Sequence, residues 1–327
     1  MSRWPWLRRG LSVLLVTAAF AFLAVTIAAD LDSLRSFRWD LRPGLLVLSL
    51  LGLIAVLLLG VGYWAVLLRS FGVDVPLLPL ARAWFLSNLS RYIPGIGAVW
   101  QFVSLAQFGT AAGLTPLVSI TSLLVQMGFM LLSAAVMGVL ILPLSPLADA
   151  YPFVAGMRWL TPLALVAVHP AIVKRLVGAM ARLSKRKVVE WQASWMRSLL
   201  LLLLALGLWA VYGATFFLFL NSFVPLSASL LPTVVAMHAV AFLVGYLAIF
   251  APAGLGFKDA TLTVLLQGLG VPAAVAASLA VLARLWTIAG EVIPALVLLF
   301  RRVRPGDPAA PDAGLPEPRD GAGAAPP

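Results

Sequence analysis

A Pro/Gly break beside an arginine, set inside a long apolar stretch, constrains this chain more than any other feature. Residues 90–101 read SRYIPGIGAVWQ, and residues 250–259, FAPAGLGFKD, repeat the plan: an apolar helical run, a break, then a second short helical segment with charge beside the break. In water such a stretch is an ordinary loop. In a bilayer, broken backbone survives only where protein covers it or where it lines a wet cavity, because lipid cannot satisfy the freed N–H and C=O groups. Two interrupted apolar segments at corresponding positions of two halves point to the binding site of a transporter built from inverted repeats.

Composition decides that a bilayer is the solvent. The chain has 327 residues, 62% hydrophobic and 11% charged, with a mean hydropathy of +1.03. That is more apolar surface than one soluble core can hide, so an all-α polytopic membrane protein is expected. The absence of Cys removes disulfides and thiolate metal sites, and two isolated His residues do not make a His-rich metal centre. No cofactor is implied. The net charge of +11 does not signal nucleic acid, since the basic residues flank apolar spans, where topology and anionic lipid headgroups account for them.

Length and charge predict about six crossings and two re-entrant hairpins. Arg3, Arg8 and Arg9 precede an apolar run from Leu11 to Ala29, which places the N-terminus in the cytoplasm; a cleaved signal peptide is the alternative. Residues 30–43 form an outer loop of mixed charge, and the second crossing, Leu45–Leu68, ends at Arg69 on the inside. Residues 76–109 read as a hairpin that enters from the cytoplasm and returns to it, followed by a crossing over Leu117–Leu142. A fourth crossing over Phe153–Val168 is interrupted by Arg158 and Pro162. It is needed to bring the basic cluster of the linker 170–197 inside, whose last ten residues read as an interfacial helix. Leu199–Leu220 then leads outward, 232–270 form a second hairpin entered from outside, and Val271–Phe300 ends at Arg301, Arg302 and Arg304 inside. The units 44–142 and 198–300 thus share the order span, hairpin, span in opposite orientation. Together residues 1–304 make one membrane domain with both termini cytoplasmic, and the Pro/Gly/Ala-rich tail 305–327 reads as disordered.

The intramembrane charges carry the chemistry. Arg91 stands three residues after Asn88 and just before the break at Pro94 and Gly95, with Trp100 and Gln101 just beyond it. Lys258 and Asp259 follow the break formed by Pro252, Gly254 and Gly256, while Arg284 and Glu291 share one face of the last span. An unpaired charge at the bilayer centre costs ~2.5–3.5 kcal/mol, so these residues ask for partners or a purpose. Arg91, Lys258 and Arg284 against Asp259 and Glu291 sum to +1, and half-helix N-termini add partial positive charge, which suits an anionic headgroup such as phosphate. Internal ion pairs, Arg284 with Glu291 and Lys258 with Asp259, are the plainer alternative. Because neighbours on a helix point about 100° apart, Asp259 is expected to meet Arg284 while Lys258 faces the cavity. Trp100 and Gln101 read first as packing, and His238 as a helix-packing donor.

At these residues the chain resembles the lysylphosphatidylglycerol synthase transmembrane-region family. NLSRYIPGIGAVWQ (88–101) looks like its Asn/basic-Tyr-x-Pro-Gly…Trp signature, IFAPAGLGFKD (249–259) resembles its Pro-Gly-Gly-Leu-Gly signature followed by a basic residue and Glu, and Arg284 to Glu291 resembles its final Arg…Glu helix. The resemblance covers about residues 10–302. Ala253 and Asp259 stand where the family usually has Gly and Glu. The resemblance implies a lipid-handling membrane module, flippase-like, in a bacterial cytoplasmic membrane. With only 23 low-complexity residues after Arg304, the aminoacyl-transfer domain of the lysyl-lipid synthases is not expected. A lipid translocator is the first reading. The alternative is a non-transporting membrane partner, a scaffold that presents lipid to a separate glycosyl- or aminoacyl-transferase; a homo-oligomer is compatible with either, and an enzyme fits less well, since no reactive constellation stands out.

Overall fold

The computed structural model describes residues 31–37, 39–90, 97–160, 194–248 and 256–300, with 25, 28, 162, 171 and 175; the side chains of 97–100 lie outside that description. Every described element is a helix or a turn of one. After the short α1 (Leu31–Ser36) come α2 (Pro43–Leu68), α3 (Leu77–Ser90), α4 (Gly97–Ala111) and α5 (Pro116–Ile141). Two short helices, α6 (Leu147–Ala150) and α7 (Pro152–Gly156), precede α8 (Trp195–Asn221), α9 (Leu231–Leu247), α10 (Phe257–Gly268) and α11 (Ala273–Phe300).

Five helical stretches among the described residues are long and apolar enough to cross a membrane: Pro43–Phe71, Pro116–Leu144, Trp195–Asn221, Ala228–Leu247 and Ala273–Phe300. Four of them are crossings expected from the sequence, and the fifth falls where the sequence reading expects the first leg of the second hairpin. α3, α4 and α10, of 14, 15 and 12 residues, are each shorter than the ~20 residues a full crossing needs. The first expected crossing lies outside the described residues except for Val25 and Ala28, both helical. Of the fourth, residues 153–160 form the end of α7 and a 3-10 turn, Met157–Leu160, in place of a continuous helix; 161 and 163–168 lie outside the described residues, as does the tail.

Local chemistry sets the helix ends. Thr115 caps α5 by accepting from the Val118 N–H at 3.3 Å, and Pro116 at the first position surrenders an N–H that has no intrahelical partner. Ser194 caps α8 in the same way through the Arg197 N–H at 3.3 Å. The cap begins the helix at Trp195 and draws Trp195 and Arg197 into the span, where charge alone had suggested an interfacial helix ending at 197 and a crossing from Leu199.

The first helices of the two units run antiparallel. The backbone entering α2 donates to the end of α8, Arg42 N to Ser222 O at 2.9 Å and Asp40 N to Phe223 O at 3.2 Å. At the opposite end Arg197 reaches the Arg69 carbonyl at 3.5 Å. The packing then exchanges between halves. α3 packs on α4 as α9 does on α10, α4 on α5 as α10 on α11, and α5 crosses to α9 as α11 crosses to α3. Each unit's last helix therefore braces the other unit's broken segment. Tyr151 Oη donates to Val264 O at 2.7 Å, placing the short helices after α5 beside the end of α10.

Candidate functional site

A cavity of about 430 Å³ opens where the halves meet, walled by α2–α5 on one side and α8–α11 on the other. Most of its lining is apolar or aromatic, including Leu57, Trp84, Met127, Met130, Phe242 and Tyr246. Asn88, Gln101, Lys258, Asp259, Arg284 and Glu291, six of the residues singled out in the sequence, line it together.

The second break supplies the ionic wall. Gly256, at φ 84°, holds a backbone conformation that a side chain would strain, and it delivers the chain into α10. Asp259, in the first turn, accepts from the Gly256 N–H at 3.1 Å, a charge-assisted bond at the positive end of a helix. The same carboxylate oxygen accepts from Arg284 Nε at 3.1 Å and from Arg284 Nη2. Asp259 is 3% exposed and so depends on these donors. Thus Arg284 pairs with Asp259, two helices clasped at one atom, where an Arg284–Glu291 pair was the simpler alternative. Glu291, equally buried, lies two turns further along α11 on the same cavity wall.

Lys258, next to Asp259 in sequence, points elsewhere. Its Nζ stands 5.6 Å from the centre of the Phe242 ring, within cation–π range, and Phe242 is in turn stacked on Tyr246 at 4.5 Å and set edge-on to Trp209 at 5.0 Å. The charged lining residues among those described, Lys258 and Arg284 against Asp259 and Glu291, balance.

From the first break the structure brings Asn88 and Gln101 together: Gln101 Nε2 donates to Asn88 Oδ1 at 2.5 Å, tying α3 to α4 across the break. Arg91, Pro94, Gly95, Pro252 and Gly254 lie outside the described residues, and of Trp100 only its place in the first turn of α4 is described. His238 corrects its expectation. It is buried with Tyr212 and Phe216 each 4.5 Å away between ring centres, and neither ring nitrogen has a hydrogen-bond partner among the described residues, so it packs as an aromatic and donates to none of the described helices.

Sequence reasoning missed Gln126, Trp84 and Tyr212 in the lining. For Gln126 a signal was present, a lone amide within the apolar run 117–142.

Among the described residues no group of His, Cys, Asp and Glu could hold a metal. What the arrangement offers is a mostly apolar chamber with two cations and two carboxylates on one wall among the described residues. Residues 10–295 match the family model described as Lysylphosphatidylglycerol synthase TM region. No curated protein matches the chain, and no solved structure does.

Proposed function

The chain belongs to the lysylphosphatidylglycerol synthase transmembrane-region family, and from that membership we propose that it is a lipid translocator of a bacterial cytoplasmic membrane. It moves a phosphate-bearing headgroup between leaflets through the cavity at the repeat interface. The observation that carries this reading is the ionic wall, Lys258 and Arg284 with their carboxylates, inside a chamber shared by both halves. Among the described residues Asp259 holds the Nε and Nη2 edge of Arg284, which leaves Nη1 to a ligand, and Lys258 contributes a second cation from the helix start, where backbone polarity also favours an anion. The apolar remainder of the wall accommodates the upper acyl chains. Arg91, just before the first break, belongs to the same site. The two broken segments are re-entrant, the first from the cytoplasm and the second from outside, and both termini are cytoplasmic.

The test is movement itself. In proteoliposomes carrying a phospholipid labelled on its acyl chain, wild-type protein accelerates exchange between leaflets. Lys258→Gln and Arg91→Ala, each folded and inserted, lose at least ~90% of that acceleration, as removal of a charge-assisted contact worth ~1.5–3 kcal/mol implies. Arg35→Ala, at an exposed position, keeps it. Equal exchange with and without wild-type protein, alongside lipid-dependent stabilisation, would favour a lipid-presenting partner over a translocator.

A further inference from the structure

The cavity's polar groups divide by half. Among the described residues all four charged lining residues come from the second unit, whereas the first contributes three amides, Asn88, Gln101 and Gln126. Asn88 and Gln101 bond to one another. Gln126 takes no part in that pair: it is 7% exposed, and its Oε1 has no hydrogen-bond partner among the described residues. Around it on α5, Leu123, Met127 and Met130 line the same wall and offer no donor. Nor does a helix end, since residue 126 stands well inside the stretch Pro116–Ile141.

A polar side chain in mid-span ordinarily joins helices through an interhelical hydrogen bond. Trp64, one neighbour of α5, makes such a bond, donating to Ser122 Oγ at 3.0 Å. Gln126 has no such explanation. A buried acceptor without a donor is disfavoured, because water has been stripped from it and nothing has replaced the lost bond. Leucine or methionine at this position would line the wall equally well and leave nothing unsatisfied. The missing element is a donor: Gln126 lines the cavity through its other atoms, while Oε1 itself is closed off in this conformation.

We infer that Gln126 is a specificity-determining residue, accepting a hydrogen bond from a hydroxyl or ammonium group on the headgroup whose phosphate lies against Lys258 and Arg284. The inference rests on the lipid-binding reading above and narrows its substrate class to phospholipids whose headgroups carry O–H or N–H donors. The terminal torsion of glutamine is soft, so the amide turns Oε1 toward a bound headgroup, and the hydrogen bond formed there offsets moving Nε2 into the enclosed position. A trimethylammonium headgroup presents phosphate and positive charge but no donor. It leaves the acceptor buried and unpaired, which is how a polar site rejects an analogue of nearly the same size.

The test measures binding, so that it does not depend on translocation. The purified full chain in detergent is titrated with short-chain phosphatidylglycerol, phosphatidylethanolamine and phosphatidylcholine, and affinity is read from the shift in thermal unfolding. In wild type the first two bind about tenfold more tightly than the third, the size of one hydrogen bond. Gln126→Met, close in volume, brings them down to the level of phosphatidylcholine and leaves phosphatidylcholine binding unchanged. A preference for glycerol over ethanolamine assigns the donor as hydroxyl, and the reverse assigns it as ammonium. Equal wild-type affinity for all three lipids overturns the inference, as does discrimination that survives in Gln126→Met. A parallel loss of phosphatidylcholine binding would make Gln126 a structural residue. Should Gln126→Met fail to unfold cooperatively, the wild-type comparison alone decides. If none of the three lipids stabilises the wild type, lipid binding itself falls, an outcome distinct from equal binding.

Discussion

Asp259 serves two elements with one oxygen. It caps the start of α10 through Gly256 and holds the Arg284 guanidinium of α11, so its charge is needed for folding before any ligand arrives. Removing one member of a buried pair strands the other, at a cost of ~3–5 kcal/mol, whereas removing both relieves the stranded charge. Asp259→Asn and Arg284→Gln are each expected to lower the unfolding temperature in detergent, and the double variant to regain part of the loss; strict additivity would contradict the pairing. Gly256→Ala should cost ~1–3 kcal/mol by forcing a side chain into its φ of 84°, read as a lower unfolding temperature. The Asp259–Arg284 pair was legible in the sequence because adjacent helical residues diverge, so Lys258 and Asp259 could not share a partner. Gln126 is visible in the sequence as a lone amide, but its role was not legible, because one amide in an apolar run looks the same whether it packs or binds. Only the missing donor, a fact of three-dimensional surroundings, separates the two.

At the scale of elements, apolar length located the helices that cross, and it did so because nothing in a bilayer competes with that signal. Helix starts were harder to read. Ser194 extends α8 back through Arg197 by a single capping bond, a local preference that outweighs the tendency of charge to remain outside. Close approach between helices was invisible for a related reason: one glycine looks like another until its neighbour is known. Both Gly207 and Gly213 lie in α8, yet a Cβ on Gly213 would stand 2.5 Å from the Val235 Cα of α9, while one on Gly207 meets nothing within 4 Å. Gly213→Val should therefore destabilise by ~1–3 kcal/mol through forced separation of α8 and α9. Gly207→Ala should be neutral or stabilise by up to ~1 kcal/mol, since alanine is the better helix former. Thermal unfolding of the two variants side by side checks the contrast.

The whole molecule is organised by the antiparallel pairing of α2 with α8, and its orientation in the membrane is testable because the chain contains no cysteine. Single cysteines at the exposed positions Asp74, Ala111, Asp149, Ser229 and Pro272 should react with an impermeant thiol reagent from outside only at 149, 229 and 272. Reaction at 111 from outside would mean that the first broken segment crosses fully. Paired units are expected from the sequence because basic residues flank several of the spans. Their mutual bracing, α5 on α9 and α11 on α3, is not, since direct sequence identity between the halves is slight and contacts leave no trace in charge or length. That bracing has a kinetic consequence. On the translocator reading, two halves threaded in opposite senses and braced by matching helix pairs trade conformations, so that whatever shape faces one leaflet has a counterpart facing the other, built from the same pairings with the roles reversed. A carrier of this kind has no forward direction of its own: on the translocator reading, labelled lipid loaded into either leaflet should depart at comparable initial rates, and net flow should follow whichever leaflet is depleted.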